Sequence, residues 1–579
     1  MADPSSPQPP RESTPSLPSS LSQKRALPDG AHSPAVPSPL NPEGKSQKVQ
    51  FQPPAEEGTT MGREKRTKRE SLKKRESKGI TGPDSSRASP ASKPKEQPGE
   101  MAPLRYKLAP PKTTDFDLSR GPVFTSHHEV QDPDGSRAIE FYETSDHVYN
   151  KKNFHYTHCI ADPTFPSMFY YRNTEPEPYG AHLSFEDAAS YMYFDQQGTH
   201  VTSDKGFRMA RANVAVREGR WYWECKVTRG ILKQRNEGDP ESHGHIRLGF
   251  ARREASLDAP VGFDAYSYGI RDKSGQKIHM SRPKEFFPEG EDIKEGDVIG
   301  LEIQLPSERL HRKIVQGHYN PAVDLVAEEE GHHPDGVIEY PNIVRDRIPI
   351  RFKAHIYFEK IDYHTTKELD ELMNPSSAPN TSSEPPHPNH PSPPLRTLPN
   401  SYIKIYKNGK LMGTPFTDLL AFLPPASRMV HNLPAGGSAG AGLLGGREAL
   451  DDGSVGYYPA VSVFRGGAVE CNFGPDFWCP PSELSQEQTQ GKDVVMAEGD
   501  GGQKPDGKEK KPRAVAERYD EQIVEDILYD IVDEVGFWSL GLGLGLGRGG
   551  NKDEKLAGTG LAMPPGGGRE EIKELVQDD

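Results

Sequence analysis

The chain has 579 residues with 56 proline and 56 glycine, and only 33% of it is hydrophobic. So lean a composition excludes a core running the whole length, and we expect one folded domain set among extensive disorder. The formal charge of −14 excludes a global basic field for nucleic acid or membrane, and any such contact has to be local.

Residues 1–100 are rich in Ser, Pro, Lys and Glu and nearly free of aromatics, which predicts disorder. Within them Arg63, Lys65, Arg66, Lys68, Arg69, Lys73, Lys74 and Arg75 form a basic tract. Three readings stand open for it: a nuclear localisation signal, a nucleic-acid-binding arm and a solvated charge run. Aromatics return over 101–183 (Phe116, Phe141, Phe154, Tyr170 among them), which reads as a lead-in to a domain, its prolines favouring extended segments and turns.

A β-sandwich is expected over 184–481. Apolar residues alternate or cluster at Val214 and Val216, at Trp221, Trp223, Cys225 and Val227, and at Ile246, Leu248 and Phe250, between Gly-rich turns. Trp221 and Trp223 fall on one face, as a sandwich core requires. Further strand patterns follow at Leu301, Ile303 and Leu305 and over 348–363, 401–416 and 456–474. In the 401–416 segment Asn408-Gly409 is a strong hairpin signal, because both residues tolerate positive φ. Polar or low-complexity inserts interrupt the sandwich at 306–346, 374–400 and 435–447, at little cost because loop-closure entropy grows only logarithmically.

Beyond the sandwich, 482–513 reads as a charged linker and 539–579 as a Gly-rich and acidic tail. Between them 514–538 holds an amphipathic helix: Ile523, Val524, Ile527, Leu528, Ile531, Val532 and Val535 share one face, and Gly536 is a stop signal. So apolar a stripe outside the sandwich needs a partner, or packs back on its own domain. Alone, a helix of this length is marginal, so the segment is expected to order on its partner.

No catalytic constellation is evident. GLGLGLGRGG at 541–550 contains a GxGxxG match but follows no strand. The histidines, His243 and His245 included, read as loop residues rather than metal ligands. The four cysteines (Cys159, Cys225, Cys471, Cys479) form no Cys-x-x-Cys pair, which excludes a RING, PHD or zinc-ribbon module within the chain and points to reduced thiols in an intracellular protein. No apolar run reaches the ~18 residues of a membrane span, and no signal-peptide core opens the chain.

The order of an Ala-Arg-Ala segment (210–212), Gly-Arg-Trp-Tyr-Trp-Glu (219–224), Arg-Leu-Gly-Phe (247–250) and Gly-Phe-Asp-Ala-Tyr-Ser-Tyr (262–268) resembles the SPRY domain. With YFEK, YKNG and YYPAVSVFRGGAVECNFGPDF it resembles, more narrowly, the SPRY subunit of the COMPASS histone methyltransferase complex, of Ash-two and Bre-two type in its shorter fungal form. The resemblance covers roughly 101–538. It implies an all-β, SPRY-type antiparallel sandwich and a noncatalytic scaffold without cofactor or metal, in a nuclear complex that methylates histone H3 on lysine four.

It further implies that Arg247, Pro260, Arg271 and Lys273 form a basic pocket for an acidic segment of the WD40-propeller subunit. Phe263 stands where animal members carry tyrosine, so the ring packing carries over and the hydroxyl does not. Arginine forks suit carboxylates. Val524, Asp526, Ile527, Leu528, Tyr529 and Ile531 match the motif that docks a Dpy-thirty (Sdc-one) dimer, with Val535 extending the stripe. The SET-domain methyltransferase and, through the complex, the nucleosome complete the implied partners. Weak DNA contact by the basic arm is a further expectation, and neither a membrane nor a small-molecule substrate is expected. The rival reading is a SPRY substrate receptor of a ubiquitin ligase.

Overall fold

Trp221, Trp223, Cys225 and Val227 are all buried and line the core-facing side of one interior strand of the larger of two packed sheets, as their alternation predicts. The computed structural model describes residues 111–539 except 132–134, 136, 151–153, 163–170, 235–239, 331–342, 354, 376–383, 430–449 and 485–510. The basic tract at 63–75, the rest of 1–100, the 435–447 insert, most of the 482–513 linker and the Gly-rich tail lie outside the described residues.

Strands are numbered in chain order. The larger sheet has ten, in the spatial order β1 (Val123–Gln131), β2 (Ala138–Ser145), β6 (Tyr193–Phe194), β7 (His200–Thr202), β22 (Ala468–Asn472), β9 (Gly219–Arg229), β14 (Val298–Leu305), β18 (Tyr402–Lys407) and β19 (Lys410–Thr417), with β23 (Arg513–Ala514) parallel to β9. The smaller has seven: β13 (Arg282–Lys284), β12 (Lys277–His279), β11 (Ser267–Arg271), β10 (His245–Ala251), β21 (Tyr458–Phe464), β8 (Arg208–Ala212) and β5 (Leu183–Ala188). A short antiparallel pair, β17 (Tyr363–His364) with β20 (Arg428–Met429), stands apart from both.

The facing sides of the two sheets supply one core, with Trp223, Leu301, Ile303 and Val469 from the larger sheet meeting Ile246, Leu248, Phe250 and Val461 from the smaller. Each large apolar side chain so enclosed contributes about 1.5–3 kcal/mol. The fold is therefore the all-β antiparallel sandwich that the sequence predicts. The Asn408-Gly409 hairpin joins β18 to β19, with φ of 52° and 78° and Lys407 paired with Lys410.

Three expectations about boundaries change. The sandwich does not begin near Ser184: β1 and β2 already extend the larger sheet, while β3 (Phe154–Ala161) and β4 (Tyr171–Asn173) join β15 (Ile348–Phe352) and β16 (His355–Ile361) in a third sheet. The 306–346 insert is not merely polar, because its helix α1 (Glu308–Gln316) buries Leu310, Ile314 and Val315 in the core. Ser307 Oγ accepts from Leu310 N at 3.3 Å and Gly317 closes the helix at φ 80°, the cap chemistry that lets a short helix form. Arg217 ties α1 in place, bonding Glu308 at 2.6 Å and Asp451 at 2.8 Å while itself buried. Within the 374–400 insert Leu395 and Leu398 are likewise buried.

A buried histidine couples the larger sheet to pH. On β7, His200 lies 3.2 Å from Asp195 and 3.5 Å from Glu470 of β22. Burial alone disfavours the charged ring, but hydrogen bonds to those two carboxylates outweigh it and lift the imidazole to about 9. A histidine raised on folding stabilises fully below its unfolded value near 6.5, and that contribution fades as pH rises through about 9. Urea denaturation should show stability falling by up to roughly 3 kcal/mol across this window. His200→Gln should flatten the decline; an unchanged profile would mean that the ion pairs add nothing.

Candidate functional site: a cationic sheet face and an apolar helix stripe

Residues 246, 248 and 250 of β10 point into the core, so Arg247 emerges on the outer face of the smaller sheet. There it is the register partner of Arg271 on β11 and of Ser462 on β21. The turn carrying Pro260 lies against the same face, Val261 N donating to Ser462 Oγ at 3.0 Å. Gly269 permits this approach, since a Cβ there would stand 3.0 Å from the Val261 side chain. Phe263 N donates to Pro260 O at 3.0 Å, and the Phe263 ring is left 51% exposed.

The structure thus brings Arg247, Arg271 and the Pro260 turn together. Lys273 stands just beyond them, its ammonium 2.6 Å from Glu241 with both groups largely in solvent. Asp272, between Arg271 and Lys273, is already committed. It accepts from Ile246 N at 3.1 Å and Lys273 N at 2.8 Å, and pairs with His245 Nδ1 at 2.9 Å.

Like charges directly opposite across two strands are unfavourable. Among the described residues the polar side-chain partner of Arg271 is Gln276, at 3.2 Å, and Arg247 Nε is buried without one; no carboxylate makes an ion pair with either guanidinium, and Asp272 acts on Arg247 only through space. Burial first, then the Arg271 charge, lowers Arg247 to about 10, which leaves it cationic at neutral pH. Two fixed, half-buried forks with unused donors are chemically suited to carboxylates.

Sequence reading missed two contributors. Phe207 lies under the Arg247 guanidinium, 4.7 Å from Cζ to ring centre, and its only sequence signal is its place two residues before Met209 on the outer face of β8. His245, read as a loop histidine, is the first residue of β10, and Asp272 raises its pKa.

The second surface is α4 (Glu517–Ser539), the fourth helix in chain order after α2 (Pro321–Glu330) and α3 (Lys367–Met373). Its polar side is seated on the domain. Arg345 pairs with Asp526 and lies 3.8 Å from Asp530, and Arg347 lies 3.4 Å from Asp530 and 2.9 Å from Glu534. Arg518 donates to Ala215 O at 2.9 Å and to Glu525 Oε1 at 2.7 Å, and Gln522 bonds both Ala215 N and Asn213 O.

The apolar stripe faces away. Val524, Ile527, Leu528, Ile531, Val532 and Val535 are each more than half exposed. Ile523 instead packs part-buried on the core. Asp526 and Tyr529, expected in the docking motif, turn inward to Arg345, the Tyr529 ring 5.4 Å from its Cζ. The seat joins these ion pairs to Tyr519 and Ile523 packed on the core, and beside it lies a cavity of about 150 Å³ lined by His158, Glu186, Arg345, Lys360 and Asp526 among others. Among the described residues no group of three His, Cys, Asp or Glu side chains is placed to hold a metal.

No family model matches the chain. A "COMPASS component cclA" of Colletotrichum higginsianum is 58% identical over 595 residues, covering all of both chains. "Set1 complex component ash2" of Schizosaccharomyces pombe is 35% identical, over 75% of this chain and 52% of that protein. "COMPASS component BRE2" of Saccharomyces cerevisiae is 28% identical, over 72% of this chain and 92% of its own length. A solved human SPRY domain, 11% identical, covers 50% of this chain and 98% of that one at a TM-score of 0.22, a likeness too weak to carry an argument. The sequence relatives do carry one, and by them the chain belongs to the Ash2/Bre2-type family of COMPASS components.

Proposed function

We propose that this COMPASS component is a noncatalytic scaffold of a nuclear histone H3 lysine-four methyltransferase complex, joining two partners through two separate surfaces. An acidic segment of the WD40-propeller subunit binds Arg247 and Arg271, with Pro260, Phe263 and Lys273 around them. A Dpy-thirty-type dimer takes the stripe of Val524, Ile527, Leu528, Ile531 and Val535. Together with the propeller subunit the chain holds the SET-domain subunit in its active arrangement. The observation that supports this best is the cross-strand arginine pair without a carboxylate, because an unpaired, half-buried like-charge pair costs stability unless an anion completes it. The import and DNA-arm roles of residues 63–75 rest on sequence alone.

Affinity purification of the tagged full chain, followed by identification of its partners, tests the reading. A SET-domain protein, a propeller subunit and a small dimeric subunit are expected together. Recovery of ubiquitin-ligase subunits without a SET protein would favour the substrate-receptor alternative.

A further inference from the structure

The cation at Arg247 is one end of a longer arrangement. Phe207, beneath it, stacks on Phe464 with ring centres 4.4 Å apart and planes 9° apart. Arg465 in turn lies over Phe464, 5.0 Å from Cζ to ring centre. Arg247, Phe207, Phe464 and Arg465 therefore form one unbroken stack, with the His245 ring also against Phe464 at 6.4 Å.

Arg465 occupies the turn where the chain leaves β21 of the smaller sheet for β22 of the larger. Its backbone is left-handed, at φ 51°, a conformation that costs an arginine and suits glycine or asparagine. The turn is nevertheless pinned there, Arg465 N donating to Lys205 O at 3.2 Å and Gly466 N to Ser203 O at 2.7 Å. The side chain is exposed, and among the described residues no carboxylate or hydrogen-bond acceptor engages its guanidinium. Stacking occupies the flat face of a guanidinium and leaves its edge donors free for an oxyanion.

We propose that Arg465 is a third guanidinium of the acidic-segment surface and that Phe464 is its positioning residue, so that the surface reads carboxylates beyond those at Arg247 and Arg271. This rests on the proposed pocket. The test uses the full chain and the propeller subunit recovered with it, titrated at two salt concentrations. Arg465→Glu should weaken binding about tenfold or more, the loss of one charge-assisted hydrogen bond, and should make the affinity less salt-sensitive. Arg465→Lys should keep most of the affinity, and Phe464→Tyr, which preserves the ring, should be near wild type while Phe464→Leu falls toward Arg465→Glu.

Thermal unfolding of Arg465→Glu should change little, since the side chain is exposed and has no intramolecular ion pair among the described residues, losing only its contact with the Phe464 ring. Unchanged affinity in Arg465→Glu while Arg247→Glu with Arg271→Glu abolishes binding would overturn the third cation and leave the pocket standing. Unchanged affinity in both would overturn the pocket and this extension of it together.

Discussion

Replacing Arg247 and Arg271 together by glutamate is expected to leave the sandwich folded and to weaken binding of the propeller subunit at least about a hundredfold. Hydrogen bonds to charged groups are worth roughly 1.5–3 kcal/mol each, so losing two corresponds to about a hundredfold or more before repulsion from the acidic segment is counted. Folding should survive because neither guanidinium answers a carboxylate among the described residues, and because the core beneath is built by Ile246, Leu248 and Ile270, which are buried and untouched. Lys273→Glu should cost far less, since Lys273 stands in solvent, where a charge contact is worth little. Titration calorimetry with the purified propeller subunit measures all three affinities. Wild-type affinity in the double variant would remove the pocket assignment.

Leu528→Asp with Ile531→Asp should abolish capture of the helical dimer while leaving α4 helical and seated. Both side chains are 54% exposed and belong to the stripe that faces away from Arg345 and Arg347. Two carboxylates set against an apolar groove would each forfeit burial worth about 1.5–3 kcal/mol and add the cost of an unpaired buried charge. Amide exchange over 520–535 should match wild type in this variant, which separates loss of docking from loss of the helix.

Arg345→Ala with Arg347→Ala supplies the converse, because it removes the ion pairs of the seat without touching the stripe. Exchange over 520–535 should accelerate, whereas high salt should have little effect on the wild-type chain, because both guanidinium groups are largely buried and weakly screened. Retention of the dimer by the aspartate variant would show that the stripe is not the docking face.

What the sequence made legible follows from the range of its signals. Alternation is local, so the inward set at Trp221 to Val227 and the outward Arg247 were readable, as was the Asn408-Gly409 turn. Pairing between distant segments is not local. β3 finds its partner β16 some two hundred residues on, with Tyr156 OH bonding Glu359 at 3.0 Å, and nothing near Tyr156 announces that mate. The same limit hid the outer-face stack, since Phe207 and Phe464 meet only because β8 and β21 are neighbours. For α4 the apolar stripe was plain, but the partners of its acidic side were not. Its role depends on Arg345 and Arg347, which lie in and just after a segment read as insert.

The two-residue strand at the root of α4 has a mechanical meaning. Val515 N donates to Tyr222 O at 3.1 Å, Ala516 N donates to Phe473 O at 2.8 Å, and the Arg513 guanidinium lies 4.5 Å from the Trp221 ring centre. Tension applied to the helix by a bound assembly is therefore delivered to β9, an interior strand flanked by β14 and β22. With Ala514 and Val515 buried as well, the joint is anchored in the larger sheet rather than tethered to it. A load on α4 would strain its outer ionic contacts first and reach the tryptophan core only after they had yielded.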